Sequence, residues 1–150
     1  MLEIGPGIGV HALSVASSLA PRGVLDVLDV QGEMLDDLTR RATRAGIGNL
    51  IATRGDAQAL PYPDRTFDGA YLVGVLGEIP DQAAALREFR RVLRPSGRLV
   101  VGEVVLDPDY ISPGHLGEKL LRSGFRLERI AGPSACYFAL CRPIDGDAGH

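Results

Sequence analysis

The sequence is poor in several residue types and patterns that mark whole classes of protein. It contains no tryptophan and only two cysteines, Cys136 and Cys141. These two have no further cysteine or histidine close by, so we expect reduced thiols in a cytoplasmic protein and not a zinc site. No apolar run approaches the roughly 18 residues of a membrane-spanning helix, and the N-terminus does not resemble a signal peptide. We therefore expect no membrane span.

An excess of positive charge is also missing. The net charge of −3 argues against non-specific binding of nucleic acid. Four arginines do recur at helical spacing, and a solvated helix face explains them better than an RNA-binding surface. They are Arg87, Arg90, Arg91 and Arg94. The 150 residues, 45% of them hydrophobic, suit a single domain over 1–150, with 145–150 expected to form a disordered tail.

The most informative segment lies at the start of the chain. A short apolar stretch over 2–4 leads into three glycines at alternate positions, Gly5, Gly7 and Gly9, with Pro6 between the first two. A helical pattern over 11–20 follows at once. Glycine adopts backbone angles that other residues avoid, and without a Cβ it lets a ligand lie against the main chain. Strand, glycine turn and helix are typical of the first unit of a nucleotide-binding α/β domain.

Hydrophobic periodicity predicts that strands alternate with helices along the rest of the chain. Alternation of this kind predicts a Rossmann-like, doubly wound α/β sheet that is mostly parallel. The last two strands should form an antiparallel hairpin, because only a short turn separates them. Predicted helices cover 11–20, 33–45, 82–93 and 115–123, and predicted strands cover 2–4, 24–28, 50–53, 69–73, 98–105, 125–130 and 137–142. A turn at 94–97 is predicted to separate the third helix from the fifth strand.

Three acidic residues fall within or just after the first three strands: Glu3, Asp29 and Asp56. In such sheets, ligands bind at the carboxyl ends of the strands, beside the first strand. An acid after the second strand can accept hydrogen bonds from both hydroxyls of a ribose, and Asp29 lies 20 residues after Gly9, as that role requires. Two other interpretations stay open: Asp29 caps the next helix, or Asp56 is an ordinary turn residue.

Together with these features, several segments make the sequence resemble the class I S-adenosylmethionine-dependent methyltransferases. The resemblance covers nearly the whole chain and is nearest to the small-molecule group that includes quinone-biosynthesis methyltransferases. The segments that carry it are 2–9, 28–35, 55–57, 60–62, 67–68 and 93–98.

The resemblance implies S-adenosylmethionine as cofactor, a small-molecule methyl acceptor, and a set of cofactor-binding residues. The glycine turn would approach the methionine part of the cofactor, Asp29 would hold the ribose, and Glu3 would orient the amino group through water. Asp56 and Ala57 would meet the adenine, and Met34 would pack on its ring. The full expected set is Glu3, Gly5, Pro6, Gly7, Gly9, Asp29, Val30, Met34, Asp56, Ala57 and Val73.

The catalytic residues are less well defined by the sequence. A general base is needed only if the accepting atom carries a proton. Glu78 and Glu103 are the candidates, and the alternative is that each is a surface or helix-flanking charge. Relatives often carry a histidine pair where this chain has Gly77 and Glu78, so no catalytic histidine can be assigned. His11 is expected to be exposed.

Family members usually have an N-terminal helical segment that covers the cofactor, whereas this chain begins within the first strand. We therefore expect an open site, or a site that a second copy or a partner chain covers. The alternative function is a truncated, catalytically weak cofactor-binding module that acts with a partner. A third possible function is that of a nicotinamide-dependent oxidoreductase. The glycine motif of those enzymes has its last glycine one residue later, where this sequence has Val10.

Overall fold

Seven strands form one sheet in the computed structural model, which describes residues 1–144. The expected tail at 145–150 lies outside the described residues. The strands are β1 (Leu2–Ile4), β2 (Leu25–Asp29), β3 (Leu50–Arg54), β4 (Phe67–Val73), β5 (Leu93–Val104), β6 (Phe125–Ala131) and β7 (Cys136–Pro143). The helices are α1 (Ala12–Leu19), α2 (Gly32–Arg44), α3 (Gln82–Val92) and α4 (Pro113–Arg122), with a short 3₁₀ turn at Leu76–Glu78.

The strand order is β3-β2-β1-β4-β5-β7-β6. The first five strands pair in parallel, and β7 pairs antiparallel with both β5 and β6. The predicted mostly parallel sheet with a C-terminal hairpin is thus confirmed. From β1 the chain first moves toward β3 and later crosses to β4 and β5, so the strand order reverses beside β1. Ligand sites of doubly wound sheets form at this reversal.

Most predicted element boundaries agree with the structure within two residues, but β5 differs. The predicted turn at 94–97 lies inside the strand, which begins at Leu93 directly after α3. Leu93 pairs with Phe67 and Arg98 pairs with Gly69, so four residues of β5 lie opposite a single residue of β4. The Pro-Ser-Gly signal marks this bulge and not a separation of elements. No helix in the described part of the chain is both long and apolar enough to cross a membrane.

The helices divide between the two faces of the sheet. Side chains of α3 and α4 pack into a core with β6 and β7 that includes Phe89, Leu116, Phe125 and Tyr137. Side chains of α1 and α2 form a second core on the other face, mainly over β2 and β3. On that second face, beyond β4, Phe138 remains 41% exposed. A mixed sheet with helices on both sides normally buries such positions, but within residues 1–144 no helix covers this part of the sheet.

A carboxyl group lies inside the second core. Glu3 of β1 is only 3% exposed, and its Oε2 accepts a hydrogen bond of 2.8 Å from the Tyr71 hydroxyl on the adjacent strand. Burial raises the pKa of Glu3 to about 7, and the bond from Tyr71 opposes this in part. The interior therefore favours the protonated form of Glu3.

We predict that replacement of Glu3 by glutamine removes a pH dependence of stability. Between about pH 4.5 and pH 7 the unfolded chain ionises at this position before the folded chain does, so the wild type loses stability as the pH rises. The loss approaches at most about 3 kcal/mol above pH 7. Urea unfolding at about pH 5 and pH 8 measures it. The Glu3→Gln variant should gain relative stability at the higher pH, and Glu118→Gln, on an exposed residue of α4, should not. Equal pH dependence in all three proteins would contradict the prediction.

Candidate functional site

A cavity of about 560 Å³ opens at the carboxyl ends of β1, β2 and β4, where the strand order reverses. Its volume is in the range of small-molecule sites. The walls come from the glycine turn after β1, the segments after β2 and β3, and the loop that joins β4 to the 3₁₀ turn. Its lining residues are Ile4, Gly5, Gly7, Leu28, Asp29, Val30, Gln31, Met34, Gly55, Asp56, Ala57, Gln58, Val73, Gly74, Val75, Glu78, Ile79 and Pro80.

The cavity brings together most of the residues expected at a cofactor site, from four separate segments of the chain. Gly5, Gly7, Asp29, Val30, Met34, Asp56, Ala57, Val73 and the candidate base Glu78 all line it. Glu3, Pro6, Gly9 and Glu103 do not belong to the lining. The roles assigned to all of these residues stay predictions.

The glycine turn presents its main chain to the cavity. Gly5 and Gly7 have φ angles of +64° and +51°, a region that favours glycine. A Cβ on Gly5 would lie 2.7 Å from Val75 Cγ2, whereas a Cβ on Gly7 would meet no atom within 4 Å. Gly5 thus permits close packing of two loops, and Gly7 keeps open the space in front of it. The amide of Gly9 closes the turn by donating to the Pro6 carbonyl oxygen at 2.8 Å.

Gly7 offers a test with a matched control. We predict that Gly7→Ala weakens cofactor binding by tenfold or more, because the added methyl group takes space in the cavity. Gly46, after α2, also has a positive φ, +70°, and open space around it, but it does not line the cavity. Gly46→Ala should therefore introduce a backbone strain similar to that of Gly7→Ala and leave the affinity for the cofactor unchanged. Calorimetric titration with S-adenosylhomocysteine, beside circular dichroism, compares the two variants. Equal affinities would show that Gly7 has only a conformational role.

Asp29 is the acidic group at the end of β2. Its Oδ1 accepts a hydrogen bond from the Gln31 amide at 2.9 Å, and α2 begins only after Gln31, which makes no side-chain cap. The helix-capping interpretation of Asp29 is therefore wrong: the carboxylate stabilises the turn before the helix. Among the described residues, no hydrogen bond reaches its Oδ2. One carboxylate oxygen thus fixes the side chain at the cavity wall, and the second is available to a ligand.

Asp56 is positioned by a residue that the sequence analysis missed. The Gln58 amide donates to Asp56 Oδ1 at 2.8 Å, and Gln58 Nε2 contacts both carboxylate oxygens at 3.0 and 3.1 Å. These bonds hold the pKa of Asp56 below its ordinary value, so the group stays ionised. Gln58 Oε1 also accepts from the Asp81 amide, which connects this wall to the start of α3. Asp56 is thus a turn residue, as one of the two interpretations expected, and this turn faces the cavity.

One of the arginines assigned to a solvated helix face has a different role. Arg91 donates to the carbonyl oxygens of Leu60 and Tyr62 at 2.9 and 2.7 Å, and its neighbour Glu88 accepts from the Leu60 amide at 2.7 Å. The Glu88–Arg91 pair holds the segment that follows Asp56 against α3. Helical spacing alone did not reveal these main-chain acceptors, because they come from a loop about 30 residues earlier.

The two candidate bases occupy different environments. Glu78 is exposed at the cavity, and its carboxylate and those of Asp107 and Asp109 place oxygens within 4.8 Å of one another. Glu103 is 2% exposed, and its Oε2 accepts from the Ile111 amide at 3.1 Å. Burial first, and then the charge of Asp107, raise the pKa of Glu103. The interpretation of Glu103 as a surface charge is wrong, and its position outside the lining leaves Glu78 as the base candidate at the cavity.

Other lining residues carried little sequence signal. Gly74 follows β4 with a φ of +65°, and Ile79 and Pro80 reach the cavity from the 3₁₀ turn. The sequence contained a glycine at a strand end and an Ile-Pro pair, but neither pattern indicates which cavity a loop will face. His11 is exposed at the start of α1, as expected.

The sheet and the cavity together define a nucleotide-binding α/β domain: a glycine turn after the first strand, an acid after the second, and a cavity at the reversal of strand order. Comparison with known proteins makes the class more specific. The family model described as a methyltransferase domain matches residues 2–101. The chain therefore belongs to this family, and its resemblance to the class I S-adenosylmethionine-dependent methyltransferases is confirmed.

One named relative agrees with that assignment, a second relative is uncharacterized, and a solved structure shares the fold. The ubiquinone/menaquinone biosynthesis C-methyltransferase UbiE of Cellvibrio japonicus is 38% identical over 104 residues, which cover 69% of this chain and 42% of that protein. An uncharacterized 37.1 kDa protein in transposon TN4556 of Streptomyces fradiae is 36% identical over 146 residues, 87% of this chain and 41% of that protein. The chain thus spans about two-fifths of the length of these relatives. A SAM-dependent methyltransferase from Aquifex aeolicus shares the fold, with a TM-score of 0.88 at 20% identity, over 95% of this chain and 81% of that one.

Proposed function

We propose that this chain works as one S-adenosylmethionine-binding domain that transfers a methyl group to a small, apolar acceptor of the quinone type. The observation that supports this most is the cavity beside β1, which combines the open glycine turn at Gly7 with the free carboxylate oxygen of Asp29. The name of the UbiE relative supports the quinone-type acceptor. Relatives that are named as methyltransferases favour catalysis over a catalytically weak module.

The sulfonium of the bound cofactor supplies the reactive methyl group, so the protein has to bind, align and exclude water. In our proposal, Asp29 accepts hydrogen bonds from the ribose hydroxyls, while Asp56 and Ala57 contact the adenine. Met34, which also lines the cavity, would pack on the adenine ring. The main chain at Gly5 and Gly7 would contact the methionine part of the cofactor.

Acid–base chemistry is required only when the accepting atom carries a proton. Glu78 lies in the loop after β4 and lines the cavity, so we assign it the removal of that proton. Glu3 is buried and accepts a hydrogen bond from Tyr71. Because Glu3 does not line the cavity, we propose that it orients the amino group of the cofactor only through a water molecule. Glu103 has no part in this scheme, because its carboxylate binds the Ile111 amide outside the cavity.

Ligand titration with two aspartate variants tests the proposal. The wild type should bind S-adenosylmethionine and S-adenosylhomocysteine, but not NAD. Asp29→Asn keeps an acceptor for the Gln31 amide and loses the charge, which should cost about 1.5–3 kcal/mol, or roughly 10- to 150-fold in affinity. Asp26→Asn is the control, since Asp26 is on the same strand, also half-buried, and outside the cavity lining. Equal losses in both variants, or preferential binding of NAD, would contradict the assignment.

We also propose that a second copy of the chain or a partner chain covers the cofactor cavity. Exposed apolar side chains surround the carboxyl edge of the sheet: Ile8 is 68% exposed, Val10 64%, Val30 57% and Leu106 89%. Such patches are typical of surfaces that bind another protein. Sedimentation of the chain with S-adenosylhomocysteine should show a dimer, and Leu106→Asp should shift the equilibrium to the monomer. If the chain stays monomeric and binds S-adenosylhomocysteine tightly at every protein concentration, the proposal that a second copy covers the cavity is wrong.

For the place of the reaction we propose the cytoplasm. Cys136 and Cys141 are both free, with Cys136 exposed and Cys141 buried. Unpaired thiols are typical of a reducing compartment.

A further inference from the structure

Glu103, near the end of β5, is a buried carboxyl group that the acid–base scheme leaves without a role. Its Oε2 accepts the hydrogen bond from the Ile111 amide, whereas its Oε1, which is also buried, has no hydrogen-bond partner within residues 1–144. A buried polar atom without a partner costs free energy, and such exceptions are expected chiefly at functional sites. The stability of the fold therefore does not explain why a carboxyl group lies here.

The hydrogen-bond partner of Glu103 is held by the sheet through both of its main-chain polar groups. Ile111 ends the loop over residues 105–111, which we call the β5 loop. Its amide donates to Glu103, and its carbonyl oxygen accepts a hydrogen bond of 2.6 Å from the Tyr137 hydroxyl. Glu103 and Tyr137 lie opposite each other on β5 and β7. Two neighbouring side chains of the sheet thus fix the position of the β5 loop.

The β5 loop packs against residues 74–80, the segment after β4, which we call the β4 loop. A Cβ on Gly77 would overlap the Asp109 carbonyl oxygen, and a Cβ on Gly74 would lie 3.3 Å from Asp107 Oδ2. Gly77 is not among the residues with a positive φ, so the contact with Asp109, and not the backbone angle, requires glycine at this position. The two loops are therefore in close contact, and a shift of one must displace the other.

The β4 loop forms one wall of the cofactor cavity and carries the proposed base. The Glu78 amide donates to the Val75 carbonyl oxygen at 3.0 Å, and both residues line the cavity. Gly77 lies between them in the sequence. Its contact with Asp109 therefore determines where this turn, and with it Glu78, can lie.

From these contacts we propose that Glu103 is a positioning residue, which holds Glu78 at the cavity through Ile111 and the β5 loop. The inference rests on the proposed function, because it explains how the base assigned there is placed. Glu103 itself does not line the cavity. The role requires an oxygen that accepts from the Ile111 amide, and it does not require the negative charge.

NMR of the full chain, labelled with ¹³C at the glutamate carboxyl groups and with ¹⁵N, tests the proposal. Glu103→Leu is similar in size but accepts no hydrogen bond. It should shift the carboxyl signal of Glu78 and the amide signal of Gly77, and hydrogen exchange at the Ile111 amide should become at least about tenfold faster. Glu103→Gln keeps an acceptor and should restore all three signals. An unchanged Glu78 signal in Glu103→Leu, or no rescue by glutamine, would overturn the proposal.

The same contacts can be broken from the other side with a matched control. Gly77→Ala should push the β5 loop away and shift the Glu78 and Ile111 signals. Gly117, in α4, has open space around it and no positive φ, so Gly117→Ala should leave both signals unchanged. Equal effects of the two alanines would show that the loop contact does not determine the position of Glu78.

A core variant separates positioning from a general loss of stability. Phe125 is fully buried in β6, away from both loops, so Phe125→Leu should lower the stability to urea and leave the Glu78 carboxyl signal in place. A shift of that signal as large as in Glu103→Leu would mean that Glu78 responds to any loosening of the fold, and the proposal would be wrong. If Glu103→Leu does not fold, Tyr137→Phe replaces it, because it removes the other hydrogen bond to Ile111.

Titration with S-adenosylhomocysteine distinguishes this inference from the proposed function. The affinities of the wild type and of Glu103→Leu should agree within about threefold, because Asp29 and Asp56 lie in other segments of the cavity wall. If the ligand binds but Glu78 does not respond to Glu103→Leu, the positioning role is wrong and the cofactor assignment stands. If Glu78 responds but the wild type does not bind the ligand, the loop contacts are supported and the proposed function fails.

Discussion

The handedness of the strand–helix–strand connections is the constraint on which the rest of this structure depends. Right-handed crossovers place α1 and α2 on one face as the chain moves from β1 to β3, and place α3 on the other face as it moves from β4 to β5. Beside β1 the chain thus turns in one direction after β1 and in the opposite direction after β4. The loops that follow these two strands must therefore separate. The cavity lined by the glycine turn and Asp29 is the space between them. Its position is thus a consequence of topology, and the side chains determine what it can bind.

The same constraint explains why the described helices on the α1 side leave part of that sheet face uncovered. Both helices on the α1 side follow β1 and β2, so their main contacts are with β2 and β3. The strands added later receive their helices on the opposite side. Val73, the last residue of β4, lies at the boundary between the covered and uncovered regions of this face and lines the cavity beside β1.

Much of the fold follows from the sequence, because local patterns determine these parts of the structure. Periodicity gave the order and type of the main elements, and the glycine spacing and Asp29 gave the place of the cavity. These patterns failed where the hydrogen-bond partner of a side chain lies in another strand or in a loop. Glu3 meets Tyr71 across a strand pair, Arg91 binds the carbonyl oxygen of Tyr62, and Glu103 accepts a hydrogen bond from a loop that folds over it. None of these partners follows from spacing, because each depends on how elements pack. The bulge at the start of β5 was missed for a similar reason, since pairing with Phe67 overrides the local turn signal.

The most direct test of the account is a crystal structure of this chain with S-adenosylhomocysteine. The account predicts that the ribose hydroxyls lie within hydrogen-bond distance of the Asp29 carboxylate, with the adenine against Asp56 and Ala57. It also predicts that the sulfur lies near Val73, at the end of β4. A ligand bound elsewhere, or bound in this cavity with its ribose away from Asp29, would contradict it.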